Sequence, residues 1–406
     1  MRIVSQTQKQ NYWIAQNKIP LGYYGDSEIF KLLPRLSDFF LIGAKPGRGK
    51  SVLFRLIYWF VSQIRPILVI DWEGEDHKYS YYANDDDSCI LPPYTKPFPV
   101  KNSVFIKYPP KIIREHETRK EKFEISIIPS LYDYSSDELR GMGFPQGAAM
   151  ELKRILREYP KKFKNMNQLL DFVRQFPTNE RDVSRLEKIY GFNPYNEYDY
   201  LATVTKNSLV KYLNSVVENK QFSLTSEKSK VLIHLFSGKN VFLNFSGNID
   251  LARVETARLI DKIIHWRKIN KEGVAPYIFI EEADRLLPRY LEDSQERKKT
   301  EYVKTVLVEA VNRARKHKLG IGACTPTLSS LNKRIITTSY EKIFGEMSDK
   351  SELDEVQKCT SKVIREEVKN LKFNRYKGIR EFIYFNEFKY WLKFIPYACP
   401  QKYHKE

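Results

Sequence analysis

LIGAKPGRGKS, residues 41–51, decides how this chain is read. It closes on Gly49-Lys50-Ser51. It joins a short apolar run, FFLIG (39–43), to a segment with helical patterning, SVLFRLIYWFVSQI (51–64). Strand, glycine-bearing turn and helix in that order bring backbone N–H groups and the positive end of a helix to one spot. The strict pattern for a phosphate-binding loop is G-x-x-x-x-G-K-[ST]. Here Ala44 takes the first place, with Gly43 before it, so the relaxed form is met. The candidate loop comprises Ala44, Lys45, Pro46, Gly47, Arg48, Gly49, Lys50 and Ser51. On this reading Lys50 reaches the β- and γ-phosphates of a nucleotide and Ser51 ligates Mg2+. The plain alternative is a glycine-rich turn between a strand and a helix.

A nucleotide site needs acidic residues at the end of a buried strand. PYIFIEEADRLLP (276–288) supplies Glu281 and Glu282. The first would hold Mg2+ through water, and the second would orient and deprotonate an attacking water. A solvated acidic strand end is the simpler alternative. A third stretch, ILVIDWEGED (67–76), ends its apolar run on Asp71 and carries Glu75. Strand ends in doubly wound sheets face the ligand crevice, although ordinary capping of the next turn explains these residues equally well.

Five apolar runs bounded by turns, FFLIG, ILVID, VFLNF (241–245), YIFIE (277–281) and LGIGAC (319–324), read as buried strands of a parallel sheet. Helical patterns separate several of them, among them LARVETARLIDKIIHW (251–266) and EYVKTVLVEAVNRARKHK (301–318). Strands alternating with helices give an α/β fold. Residues 76–235 break that rhythm with an acidic run (Asp85-Asp86-Asp87), the proline-rich LPPYTKPFPV and amphipathic segments such as MELKRILREY. The expected division is a discontinuous core of 1–75 and 236–350, a mostly helical insertion over 76–235, and a segment over 351–406 that completes the core.

The chain has 406 residues, 42% of them hydrophobic, enough for a real core. Its formal charge of +18 favours an anionic partner, nucleic acid first and an acidic membrane second; solvated lysine faces are the bland reading. Cys89, Cys324, Cys359 and Cys399 are far apart and form no C-x-x-C pair, and the six histidines add no ligand spacing. This argues against structural zinc and disulfides and for a reducing compartment. MRIVSQTQKQ lacks an apolar signal core, and the longest apolar stretch contains Arg55 and is too short to span a bilayer. A soluble, cytoplasmic protein is expected.

Together the motifs resemble the HerA/FtsK superfamily of P-loop ATPases, most closely its HerA-like archaeal or mobile-element members. GAKPGRGKS (43–51) is similar to that family's Walker A loop, and IDWEGE (70–75) to its D-x-x-G-E turn. IFIEEADRLLP (278–288) is similar to its Walker B segment. NRARKHKLGIGACTPTLSSL (312–331) is similar to its basic helix end, following strand and polar sensor. The resemblance implies a RecA-like core, ATP with Mg2+, and a homo-hexameric ring that moves double-stranded DNA in processing, conjugative transfer or packaging. A nuclease or a portal or secretion partner would go with it. Arg313, Arg315 and Lys316 would face the neighbouring subunit's nucleotide, and Arg297-Lys298-Lys299 would be candidate DNA contacts; a dipole-stabilised helix end and a solvated loop are the plain alternatives. Thr325 would take the sensor position next to the γ-phosphate. Two departures stand out: Glu281 replaces the usual aspartate, and Thr325 replaces the common glutamine. The β-barrel that precedes the loop in HerA proteins is expected to be missing or vestigial, since about 40 residues precede the loop here. Two other function classes stay open. A small-molecule kinase or GTPase is one, although no N-K-x-D guanine-reading motif is present. A nonhydrolysing nucleic-acid-binding or assembly protein is the other.

Overall fold

The computed structural model describes residues 18–24, 27–32, 39–72, 91–92, 99–109, 124–159, 162–182, 201–224, 230–271, 274–289, 313, 317, 319–374, 379–386, 388 and 390–399. These build a twelve-stranded sheet with helices on both faces. Its strands are β1 (Lys18–Tyr24), β2 (Ser27–Leu32), β3 (Phe39–Gly43), β4 (Ile67–Asp71), β5 (Ser103–Lys107), β6 (Glu124–Ser126), β7 (Asn240–Asn244), β8 (Tyr277–Ile280), β9 (Gly320–Thr325), β10 (Glu341–Phe344), β13 (Phe382–Asn386) and β14 (Trp391–Pro396); β11 (Phe373–Asn374) and β12 (Ile379–Arg380) pair separately. The run β10-β3-β9-β8-β4-β7-β5-β6 is parallel throughout. Beyond β10 the order continues β13-β14-β1-β2, and every pairing there is antiparallel.

The central parallel strands β3, β4, β7, β8 and β9 are buried on both faces, which is why they read as apolar runs. Successive side chains still alternate between two cores. Phe39, Leu41, Leu68, Ile70, Ile278 and Ile280 point to one side. Phe40, Ile42, Ile67, Val69, Tyr277 and Phe279 point to the other, where the helix Lys50–Val61 packs. That helix is nearly all apolar because it packs on the sheet, against β1, β3 and β9, with most of its residues buried. Its Phe54 and Tyr58 meet Phe279 edge-on, with ring centroids 5.4 and 5.6 Å apart, and Phe279 also touches Phe40 and stacks on Tyr277. The glycines of GIGAC follow from this crowding: a Cβ on Gly322 would lie 2.5 Å from the Phe40 ring.

The opposite face is covered by the long helix Ile249–Ile269 and by helices from the stretch expected as an insertion: Ser136–Gly141, Gln146–Glu158, Met166–Gln175 and Thr203–Glu218. That stretch also supplies β5 and β6, which extend the main sheet beyond β7. A buried polar cluster ties the layers together. The Glu255 carboxylate, on the long helix, accepts from Tyr134 Oη (2.6 Å) and Tyr108 Oη (3.2 Å) and pairs with Arg258 (3.1 Å). Burial and the neighbouring carboxylate push both tyrosine hydroxyls well above their ordinary pKa, so they act only as donors. Residues after 350 contribute β13 and β14, which carry the sheet on to β1. No described helix is long and apolar enough to cross a membrane.

Phe279→Ala removes the ring that joins the loop helix to the sheet and leaves a cavity that its aromatic neighbours fill only in part. It is expected to cost about 3–5 kcal/mol of unfolding free energy, read as a lower midpoint in a urea melt.

Candidate functional site

Parallel strands end together, and here their carboxyl ends carry the chemistry. Gly43 pairs with Thr325 and with Phe344 in register. The Ile280–Ala323 pair puts Glu281 and Glu282 level with Cys324 and Thr325, and Ile70–Ile280 puts Asp71 level with Glu281. Thus the loop after β3, the acids after β8, Asp71 and Thr325 share one edge, with β9 between the loop strand and the acidic strand.

The loop has the backbone its glycines permit. Gly47 and Gly49 have φ of 74° and 85°, and Gly49 is the N-cap of the helix Lys50–Val61. Ala44 is fully buried, and its N–H reaches Thr325 O at 3.4 Å. Pro46 and Gly47 are exposed, and a Cβ on Gly47 would meet nothing within 4 Å, so this side of the loop is open. Ser51 is half-buried in the helix's first turn. Lys50 is only 7% exposed and forms no ion pair with any described residue. A buried ammonium with no ion pair among the described residues, at a helix start, fits a bound polyphosphate. The loop's other two cations are already committed. Arg48 pairs with Glu346 (2.8 Å) and lies 3.8 Å from the Phe373 ring centroid. Lys45 pairs with Asp349 (3.2 Å) and donates to Ser348 Oγ.

Glu281 is buried, and its N–H donates to Ile70 O at 3.1 Å. Glu282 sits at φ 45°, ψ 53°, the left-handed region, which costs a non-glycine residue on the order of 1 kcal/mol or more. Such outliers persist where the surroundings over-determine them, typically at functional sites. Burial raises the Glu282 carboxyl above its ordinary range, while the Lys50 ammonium and Trp72 pull it back. Asp284, two residues on, is 6% exposed, and its Oδ1 has no hydrogen-bond partner. Burial raises this carboxyl too, against the pull of Thr325 and of Lys50. Lys50, Glu282, Asp284 and Thr325 are therefore one electrostatic unit. Beneath them burial pushes the Cys324 thiol up to about 12.

The turn after β9 is held from outside. Thr327 N–H donates to Thr325 Oγ1 (3.1 Å), and the buried Glu352 carboxylate accepts from Leu328 N (2.6 Å) and Ser329 N (3.2 Å). Arg289 reinforces it by bonding Ser329 O (3.2 Å) and pairing with Glu355 (2.9 Å). Arg313 lies before β9, at the opposite end of that strand from Thr325, and faces Asp261 at 3.9 Å. The strand's length alone separates it from its own loop by about 20 Å. Arg315, Lys316, Arg297, Lys298, Lys299 and Glu75 lie outside the described residues. Sequence reading passed over Asp284, Trp72, Glu346, Asp349, Glu352 and Arg380. Asp284 stood inside the quoted acidic stretch and Trp72 inside IDWEGE (70–75); the others carry no local motif.

Asp284→Asn tests whether the buried acid opposes folding. A carboxyl raised in the fold costs stability once pH exceeds its unfolded value, near 3.8, and the cost is complete above the raised value. The asparagine variant is expected to melt higher than wild type at pH 7, with the difference shrinking as pH falls toward 4. Differential scanning calorimetry at both pH values checks this.

No protein-family model matches the chain, and no curated protein matches it in sequence. Solved structures do match in fold. Plasmid coupling protein TrwB, in complex with a non-hydrolysable ATP analogue, aligns with TM-score 0.53 at 13% identity, over 92% of this chain and 87% of TrwB. The unbound bacterial conjugative coupling protein TrwB aligns with TM-score 0.51 at 15% identity, over 99% and 94%. The genome packaging NTPase of Sulfolobus turreted icosahedral virus 2, with ATP-gammaS, aligns at 0.37 and 11% identity, over 90% and 100%. With a mainly parallel sheet, a glycine loop after β3 and acids after β8, the chain has the α/β, RecA-like P-loop fold expected from its sequence.

Proposed function

We propose that the chain is an ATP-driven motor on double-stranded DNA, working as a homo-hexameric ring in DNA processing, conjugative transfer or packaging. One observation carries this reading: the buried Lys50, which has no ion pair among the described residues, and the acids Glu281 and Glu282 converge at one sheet edge beside a glycine loop. TrwB, which shares the fold, holds an ATP analogue in one structure and is a conjugative coupling protein. The +18 charge suits a phosphate backbone that is gripped without reading sequence.

In this reading the loop amides of Ala44–Ser51 cradle the phosphates, and Lys50 neutralises the β- and γ-oxygens. The Ser51 hydroxyl would ligate Mg2+ directly and the buried Glu281 carboxylate would hold it through water, hard oxygen donors that suit this ion. When bound, that ion supplies charge neutralisation across the β- and γ-phosphates. Glu282 accepts the proton of a water that attacks the γ-phosphorus, and ADP leaves. Thr325, whose hydroxyl donates to Thr327 O and accepts from Thr327 N–H in the turn that Glu352 braces, is the proposed sensor of hydrolysis. The position of Arg313, at the far end of β9 from its own loop, supports a role in trans, and Arg315, outside the described residues, is the second candidate. A cytoplasmic setting and a nuclease or portal or secretion partner complete the proposal.

The test is ATP turnover with and without duplex DNA. Wild type should hydrolyse ATP faster with DNA. Lys50→Ala should lose both binding and turnover, and Glu282→Gln should bind ATP but lose about 10²–10⁴ in kcat. Because burial raises the Glu282 carboxyl, the acid limb of wild-type kcat/KM should lie above the ordinary carboxylate range of about 4.3. Turnover that needs a small-molecule acceptor would point to a kinase instead, and binding without turnover to a nonhydrolysing assembly protein.

A mixing experiment tests the ring. Arg313→Ala should bind ATP normally and lose about 10³-fold in turnover. Combined with Glu282→Gln subunits, it should regain part of the activity, because some interfaces then join an intact site to an intact arginine. Absence of rescue, or a monomer by light scattering with ATP and DNA present, would contradict the assignment.

A further inference from the structure

The C-terminal segment returns to the loop through the β11–β12 hairpin, in which Phe373 pairs with Arg380 and Asn374 with Ile379. Phe373 lies under the Arg48 guanidinium. Arg380 lies on Gly49 itself: a Cβ there would be 2.9 Å from Arg380 Cδ and 3.3 Å from its Nη1. The missing side chain at Gly49 therefore serves two ends. It permits the left-handed turn, and it opens the ground over which Arg380 crosses to the residue immediately before Lys50.

The carboxylates around this hairpin are committed elsewhere. Glu381 pairs with Lys393 at 2.9 Å and accepts from Lys372 N–H at 2.6 Å. Glu346 pairs with Arg48. Among the described residues no carboxylate pairs with Arg380, although it lies against Gly49 at the start of the loop helix. Glu381 also anchors the hairpin's base, since its own N–H donates to Lys372 O at 3.1 Å. The arginine is thus presented on a braced support, and a guanidinium with free donors matches phosphate oxygens.

We infer that Arg380 is a nucleotide-binding residue supplied in cis: it contacts the polyphosphate of the nucleotide held by its own loop, as a second cation beside Lys50. This rests on the nucleotide-site reading above. It differs from the part given to Arg313, because a contact on the Gly49 side acts on bound nucleotide before and after hydrolysis, whereas a trans arginine acts on turnover.

Calorimetric titration with ADP and with ATPγS tests it, on wild type and on Arg380→Ala, Arg380→Lys and Arg380→Met. Loss of a charge-assisted contact should weaken both nucleotides about 10- to 100-fold in the alanine and methionine variants. The lysine variant should fall between these and wild type. Mixing Arg380→Ala with Lys50→Ala subunits should restore no ATP turnover, since each subunit's own site stays defective. Unliganded melting curves identify any variant that folds poorly, and the lysine–methionine pair, similar in length and different in charge, then decides. If wild type binds nucleotide and Arg380→Met binds both ligands as well as Arg380→Lys, the proposal is overturned while the site reading stands. Rescue on mixing would also overturn it, by making the arginine act in trans. A wild-type chain that binds neither nucleotide overturns the site reading and this proposal together.

Discussion

The Lys50 ammonium is the charge around which the sheet's carboxyl edge is arranged. It is buried at the start of a helix, unpaired among the described residues, and felt by the acids of the next layer, Glu282 and Asp284. Placing it there requires several things at once. The loop must turn through positive φ at Gly47 and Gly49, the helix must be fixed by its aromatic face, and the strands must end in register. Each requirement is met by residues that face the core rather than the ligand. A polyanion would add counter-charge at Lys50, which has no ion pair among the described residues.

Around that charge, stability is given up locally. Glu282 holds a left-handed backbone that a glycine would adopt without strain, and Asp284 is a buried acid with an unsatisfied oxygen. Neither helps the chain fold. The surrounding structure compensates with well-satisfied networks away from the edge: Glu255 among two tyrosines and Arg258, Glu352 capping the turn after β9, and Arg289 joining that turn to Glu355. Strain concentrated where the chemistry is read, with satisfaction elsewhere, is the pattern of a site kept for use.

The central strands were legible because burial on both faces leaves an unbroken apolar signal. FFLIG and ILVID coincide with β3 and β4, and the runs at 241, 277 and 319 fall within a residue of β7, β8 and β9. β10 is only EKIF, too short to stand out, and β13 and β14 lie in an aromatic and charged stretch whose pattern suits an antiparallel edge. β5 and β6 were hidden inside a stretch dominated by helical periodicity. At the site, the loop and the paired acids were legible because chain continuity carries them as motifs. Arg380, Glu346 and Glu352 were not, because they reach the site across the fold from segments with no local signature. Lys45 and Arg48 show the reverse case: their place in the loop was legible, but their pairing with Asp349 and Glu346 depends on the segment after β10, some 300 residues downstream.

On the proposed reading as a ring motor, each nucleotide's state would be coupled to its neighbour and to DNA; β9 ends on Thr325, and Arg313 lies before its other end. The most direct measurement is displacement of a third strand from a triplex on linear duplex DNA, followed as fluorescence of the released oligonucleotide. The account predicts ATP-dependent release by the wild-type chain that stops with Glu282→Gln and weakens as salt screens the phosphate contacts. ATP hydrolysis on DNA that leaves the third strand in place would contradict it.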